Sequence, residues 1–171
     1  MERFWKDLDG ESDRGMVLVA GCYFDDLLKD CLVSYFVETK EAVRLLDELG
    51  GLASFSARNR CCLALRIINQ EEFQTLKLLA RVRNRFAHNL RADFTALCTR
   101  QIVVEMAHAL QMDAEVLSEL TQKPTREIFS FTAFCLNDAL WLRPYDTKLH
   151  VAKYPDIVPE HVHLPAAGSG P

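Results

Sequence analysis

No stretch of apolar residues in this chain approaches the roughly 20 that a membrane-crossing helix requires, which excludes a helical membrane span. No CxxC pair occurs among its six cysteines, Cys22, Cys31, Cys61, Cys62, Cys98 and Cys135. Each sits among apolar residues at helical positions, so they read as small core side chains with reduced thiols rather than redox groups or metal ligands. Proline is nearly missing until the end: five of six (Pro144, Pro155, Pro159, Pro165 and Pro171) lie beyond Trp141. The apolar–polar alternation of a half-buried strand is absent, and no internal repeat is visible. The N-terminus, "MERFWKDLDG", carries acids where a secretory signal has a basic and then an apolar stretch. A cytoplasmic protein with no membrane contact is expected. His161 and His163 form an isolated HxH in the proline-rich segment, while His108 and His150 have no neighbouring ligands. No metal and no cofactor is expected.

What remains is typical of a single folded domain. The 171 residues are 49% hydrophobic and 26% charged, enough to enclose a core and inconsistent with disorder. The net charge of −4 conceals an asymmetry. Between Arg58 and Arg100 stand nine basic residues and only three acids, Glu71, Glu72 and Asp93. That window is six positive and the rest of the chain ten negative. One positive face on an acidic protein points to an anionic partner.

The periodicity predicts helices joined by short breaks. The first begins at Ser12 or Asp13 as N-cap and runs to about Phe36; "TKEAVRLLDEL" follows and stops at Gly50-Gly51. A third helix follows Ser54. Asn69 opens a fourth with Glu72 three residues on, a capping box, and that helix runs to about His88. Further helices span about Phe94 to Gln111 and Thr125 to Trp141. The expected architecture is all-α, an up-and-down bundle over residues 1–143, with residues 144–171 an irregular or disordered proline-rich tail.

Helical phase divides the basic cluster "RVRNRFAHNL". At about 100° per residue, Leu76, Leu79, Ala80, Phe86 and Ala87 share one arc, and Arg83 falls in its middle. Lys77, Arg81, Asn84 and His88 gather on an adjoining face. Arg81 and Arg85 can be explained by solvent and by the helix dipole, and His88 by capping the last carbonyls. A guanidinium on a core face needs a carboxylate, a cleft or a subunit interface. The first helix offers Asp25 on a stripe with Arg14 and Gly21, and Gly21 permits a close neighbour. Asp25, or Glu11 and Asp13, could orient Arg83 or Arg14; alternatively Arg14 and Asp25 form a structural bridge of their own.

"RNRFAH" fits the Arg-x4-His signature of the HEPN superfamily, with Arg83, Asn84 and His88 on its motif positions. More widely, "ESDRG", "CYFDDLL", "GGLASFSARNRCCLALRIIN" and "RVRNRFAH", in this order, resemble the mannitol operon repressor family. The likeness covers about residues 1 to 112 and is strongest from Gly50 to His88. It departs at Arg66, where relatives tend to carry a small residue, and does not extend beyond residue 112.

These resemblances imply a HEPN-like helical bundle that forms a homodimer. In catalytic HEPN domains two protomers join their motifs and cleave RNA without a metal, the 2′-hydroxyl serving as nucleophile. His88 would then be the general acid or base, Arg83 the phosphate stabiliser and Asn84 an orienting hydrogen-bonder. Arg14, Arg58, Arg81 and Arg85 would contact phosphate, and the products would end in 2′,3′-cyclic phosphate. Arg83 and His88 stand about 140° apart on a helix, hence the need for a second copy. The reading preferred from sequence is a metal-independent endoribonuclease of toxin or defence type, with RNA as substrate and an antitoxin or regulator as partner. The alternative is a non-enzymatic transcriptional regulator of the mannitol operon repressor type, acting through protein partners; no helix-turn-helix with a basic recognition helix is visible. A nucleotide-binding accessory module is a weaker third.

Overall fold

The structure is a computed structural model describing Leu8 and residues 10–36, 38–47 and 49–153, with side chains through residue 149. Every regular element among the described residues is helical. They are α1 (Asp13–Tyr35), α2 (Lys40–Leu46), α3 (Phe55–Ala64), α4 (Gln70–His88), α5 (Leu97–Ala109), α6 (Ala114–Leu120), α7 (Thr125–Leu140) and α8 (Arg143–Lys153). None of them is long and apolar enough to cross a membrane.

The starts of these helices are written in local chemistry. The Ser12 side chain accepts from Gly15 N at 3.1 Å, and Ser54 accepts from Ala57 N at 3.2 Å. At α4 both halves of the capping box form: Asn69 Oδ1 accepts from Glu72 N, and Glu72 Oε2 accepts from Asn69 N, each at 2.8 Å. Gly50 is needed where α2 ends, because a Cβ there would overlap the carbonyls of Arg44 and Leu45.

Helix α1 runs through the molecule and packs on α3, α4, α7 and α8, while α4 also packs on α3 and α5. Its buried residues, Met16, Val17, Ala20, Gly21, Phe24, Leu27, Leu28, Cys31 and Leu32, recur at helical spacing. Phe86 of α4 meets Phe94 with ring centroids 5.2 Å apart, and Phe94 meets Phe129 of α7 at 5.5 Å. This aromatic chain joins the end of α4 and the loop after it to the distant α7, in tilted geometries that favour ring contact.

Two features differ from the sequence expectation. Residues from 144 do not begin an irregular tail, since α8 runs from Arg143 to Lys153 and packs along α1. Pro144 stands in the first turn, where its missing N–H leaves no helical bond unmade, so it starts a helix instead of breaking one. Residues 154–171, including the HxH and the last four prolines, lie outside the described residues. Helix α6 was not anticipated; with seven residues it is too short for its periodicity to stand out.

The cysteines divide by position. Cys31 and Cys62 are buried, and burial pushes the Cys31 thiol up to about 12 and the Cys62 thiol upward as well. Cys61 and Cys135 are partly buried, but Cys22 and Cys98 are exposed and do not belong to the core.

Candidate functional site

The basic cluster occupies the last two turns of α4. The buried residues of this helix are Glu72, Thr75, Leu76, Leu79, Val82 and Phe86. This arc is rotated from the expected one: Ala80 is partly exposed and Ala87 exposed, while Val82 is fully buried. The rotation follows from packing, because α4 is covered by α1 and α5 as well as α3, and the alanines lie at the margin of that coverage. Arg83 therefore flanks the buried face, half-buried, and does not sit at its centre.

That flanking position explains how a guanidinium is accommodated without an acid. The stem of Arg83 crosses α1 at Gly21, where an added Cβ would lie 2.5 Å from Cδ and 2.9 Å from Cγ. Its guanidinium lies over the Phe55 ring, 5.4 Å from the centroid, a cation–π contact. Its Nε and Nη2 donate to Asn84 Oδ1 at 3.4 and 3.2 Å. Among the described residues, no carboxylate forms an ion pair with Arg83.

The carboxylates expected to orient it are engaged elsewhere. Asp25 accepts from Arg58 Nη1 at 2.5 Å, and Asp13 accepts from Arg126 Nη1 at 2.7 Å. The Glu11 carboxylate lies against Gly15 in the first turn of α1, and the Glu11 carbonyl accepts from Arg126 Nη2 at 2.7 Å. The alternative bridge between Arg14 and Asp25 is not formed either. Eleven residues along a helix separate them by about 16 Å, too far for one side chain. Arg14 instead donates to the carbonyls of Phe86 and Asn89, the latter at 2.7 Å, and caps the end of α4.

The four arginines assigned to phosphate are likewise unequal. Arg58 is 8% exposed and held by Asp25, with its Nε buried and unpartnered. Arg85 donates from Nε to Thr99 Oγ1 at 3.0 Å and from Nη2 to Cys98 Sγ at 2.6 Å, tying α4 to α5. Arg14 is the cap just described. Arg81 is paired with Glu105 at 3.3 Å, both side chains more than half exposed, so this bond is weak and screened. Of the four, only Arg81 keeps its guanidinium on an open surface, held by no more than this solvent-exposed pair.

His88 closes α4 and is exposed, as is Asn84 one turn earlier. The pair shares a helix face at i and i+4, whereas Arg83 turns toward α1 and α3. Among the described residues, no hydrogen bond joins His88 to Arg83. No group of three or more potential metal ligands occurs there either.

Beside Arg83 opens a groove of about 460 Å³ between the start of α3 and the outer face of α4. Its rim carries Arg60, Lys77, Arg81 and Arg83 together with Ser54 and Ser56, and no acid lines it. Arg60, Lys77 and the two serines were not among the sequence candidates. The signal was available for Lys77, which shares a face with Arg81 and Asn84 at i, i+4 and i+7. Arg60 and the serines enter only because α3 docks beside α4.

Comparison with known proteins adds a fold. No family model matches the chain, and no curated protein does. A solved structure does match: the X-ray structure of the MtlR–HPr complex from Escherichia coli, with a TM-score of 0.64 and 20% identity over 81% of this chain and 96% of that one. At this identity the likeness concerns the backbone. Most of the chain therefore shares the fold of MtlR, the mannitol operon repressor.

Proposed function

We propose that this chain is a cytoplasmic, non-enzymatic regulator of the mannitol operon repressor type that acts by binding a protein partner. The observation that carries this reading is the fold shared along most of both chains with a protein whose solved structure is a complex with another protein, HPr. The chemistry agrees with it. A ribonuclease of the Arg-x4-His type needs its arginine and histidine on one scissile phosphate, whereas here Arg83 is turned to Phe55 and Gly21 and His88 faces solvent. Three of the four arginines that would extend a phosphate track, Arg14, Arg58 and Arg85, are used as a cap and interhelix ties.

The HEPN ribonuclease reading keeps one observation in its favour. Asn84 and His88 are both exposed on one face at the end of α4, open to a second copy of the motif across a homodimer axis. The two readings separate in one experiment. The purified chain is incubated with RNA in EDTA beside His88→Ala, and titrated calorimetrically with HPr from the same organism. A stoichiometric complex without RNA cleavage is expected. Cleavage that survives EDTA and disappears in His88→Ala overturns the regulator reading.

A further inference from the structure

The groove beside Arg83 has no role in the reading just given, and its composition is unusual for a protein that is acidic overall. Two of its cations, Arg60 and Lys77, are exposed and have no ion-pair partner among the described residues. Arg81 has only the screened contact to Glu105, and the Arg83 guanidinium has no carboxylate. Four like charges around one concavity repel one another, an arrangement relieved by an anion.

The neighbouring helix end adds to this. Helix α3 has ten residues and starts at the groove, with Ser54 as its N-cap. Ser54 Oγ accepts from Ala57 N, which leaves its hydroxyl hydrogen available to a ligand. The first amides of α3 have no intrahelical acceptor and lie at the positive end of its dipole. Anion preference thus arises from two independent sources, side-chain charge on α4 and backbone amides on α3.

The floor differs from the rim. It is formed by Phe55, Phe73 and Ala80. Beneath it Asn59, 3% exposed, donates Nδ2 to Phe73 O at 3.1 Å and fixes α3 to α4. Asn59 Oδ1 is buried and has no donor, and an acceptor there repels a deeply placed anion. The charged group of a ligand therefore belongs at the cationic rim, with an apolar body on the aromatic floor. The volume suits a small molecule, since ligand sites begin at about 300 Å³.

We propose that this groove binds a small organic phosphate monoester, its phosphoryl group held by Arg60, Lys77, Arg81, Arg83 and the α3 N-terminus and its organic part resting on Phe73 and Ala80, since the Phe55 ring is buried under the Arg83 guanidinium. The proposal does not depend on the protein having a partner, and the test uses none. The full chain is titrated by calorimetry at low ionic strength with phenyl phosphate, inorganic phosphate and a short single-stranded RNA. Phenyl phosphate is expected to bind about tenfold more tightly than inorganic phosphate because it also covers the floor. Arg60→Gln combined with Lys77→Gln should weaken phenyl phosphate at least about tenfold, while Arg91→Gln, in the loop after α4, changes it less than about twofold. Both replaced side chains are exposed, so the variants keep the wild-type melting temperature, checked by circular dichroism. The proposal is overturned if phenyl phosphate does not bind, if the double variant binds it as well as wild type, or if RNA binds while the monoester does not.

Discussion

Arg83 shows how one side chain can satisfy two constraints that look incompatible. Its stem is long enough to lie along a neighbouring helix while its guanidinium reaches an aromatic face at the edge. Gly21 makes this possible, since any side chain there would occupy the path of Cγ and Cδ. Gly21→Ala brings two opposed effects: better helix propensity by about 1 kcal/mol, and displacement of Arg83 from Phe55. The substitution should be destabilising or neutral in the wild type. In an Arg83→Ala background it should stabilise by up to about 1 kcal/mol. A double-mutant cycle by urea unfolding checks this, and equal effects in both backgrounds would show that the contact carries no energy. Arg66 belongs at the same scale. Its φ of 57° is left-handed, a conformation that favours a residue without a Cβ.

Among the elements, α4 carries the site, and its register depends on its first turn. Asn69 and Glu72 satisfy two orphan amides and set where the helix begins, and therefore which residues of its last turns face α3. Asn69→Ala should lower stability by about 1 to 2 kcal/mol, a fall of roughly 2 to 8 °C in melting temperature for a chain of this size. Thermal unfolding followed by circular dichroism measures it. Asn69→Asp, which keeps an acceptor at the cap, should recover most of the loss.

At the scale of the molecule, α8 is joined to the start of α4 by one arginine. Arg143 donates Nη1 to Ile67 O at 2.7 Å and Nη2 to Glu72 Oε1 at 2.8 Å. Glu72 is nearly fully buried, and the same carboxylate that closes the capping box also receives a charge from the first residue of α8. Arg143→Ala would leave that carboxylate without its cation. A loss of about 2 kcal/mol is expected, below the full value for a buried pair because Arg143 is partly exposed. Chemical denaturation measures the loss. If Glu72→Gln combined with Arg143→Ala is more stable than Arg143→Ala alone, the unpaired charge is its cause.

The limits of the sequence are visible in particular residues. Caps at Ser12, Ser54 and Asn69 are local, their donors and acceptors lying within three residues, so the sequence reveals where these three helices begin. Apolar spacing likewise reveals an all-helical chain and most of its elements. The fate of Arg14, Arg58 and Arg85 is different in kind. Each finds partners at least 13 residues away, and nothing in its neighbours in the chain indicates which. Pro144 misleads for a related reason, since one residue stops a helix or starts it according to the turn in which it stands.

What the sequence determined by itself is therefore the helical class, the capped starts of α1, α3 and α4, the basic window and the motif at Arg83, Asn84 and His88, because all of these are short-range properties. Tertiary structure alone decided that Asp25 belongs to Arg58 and Asp13 to Arg126, that Arg83 rests on Gly21 and Phe55 without an acid, and that α3 brings Ser54, Ser56 and Arg60 to the basic face of α4. Hydrogen bonds and ion pairs act over a few ångströms, and only docking of the helices sets which distant groups come within that range.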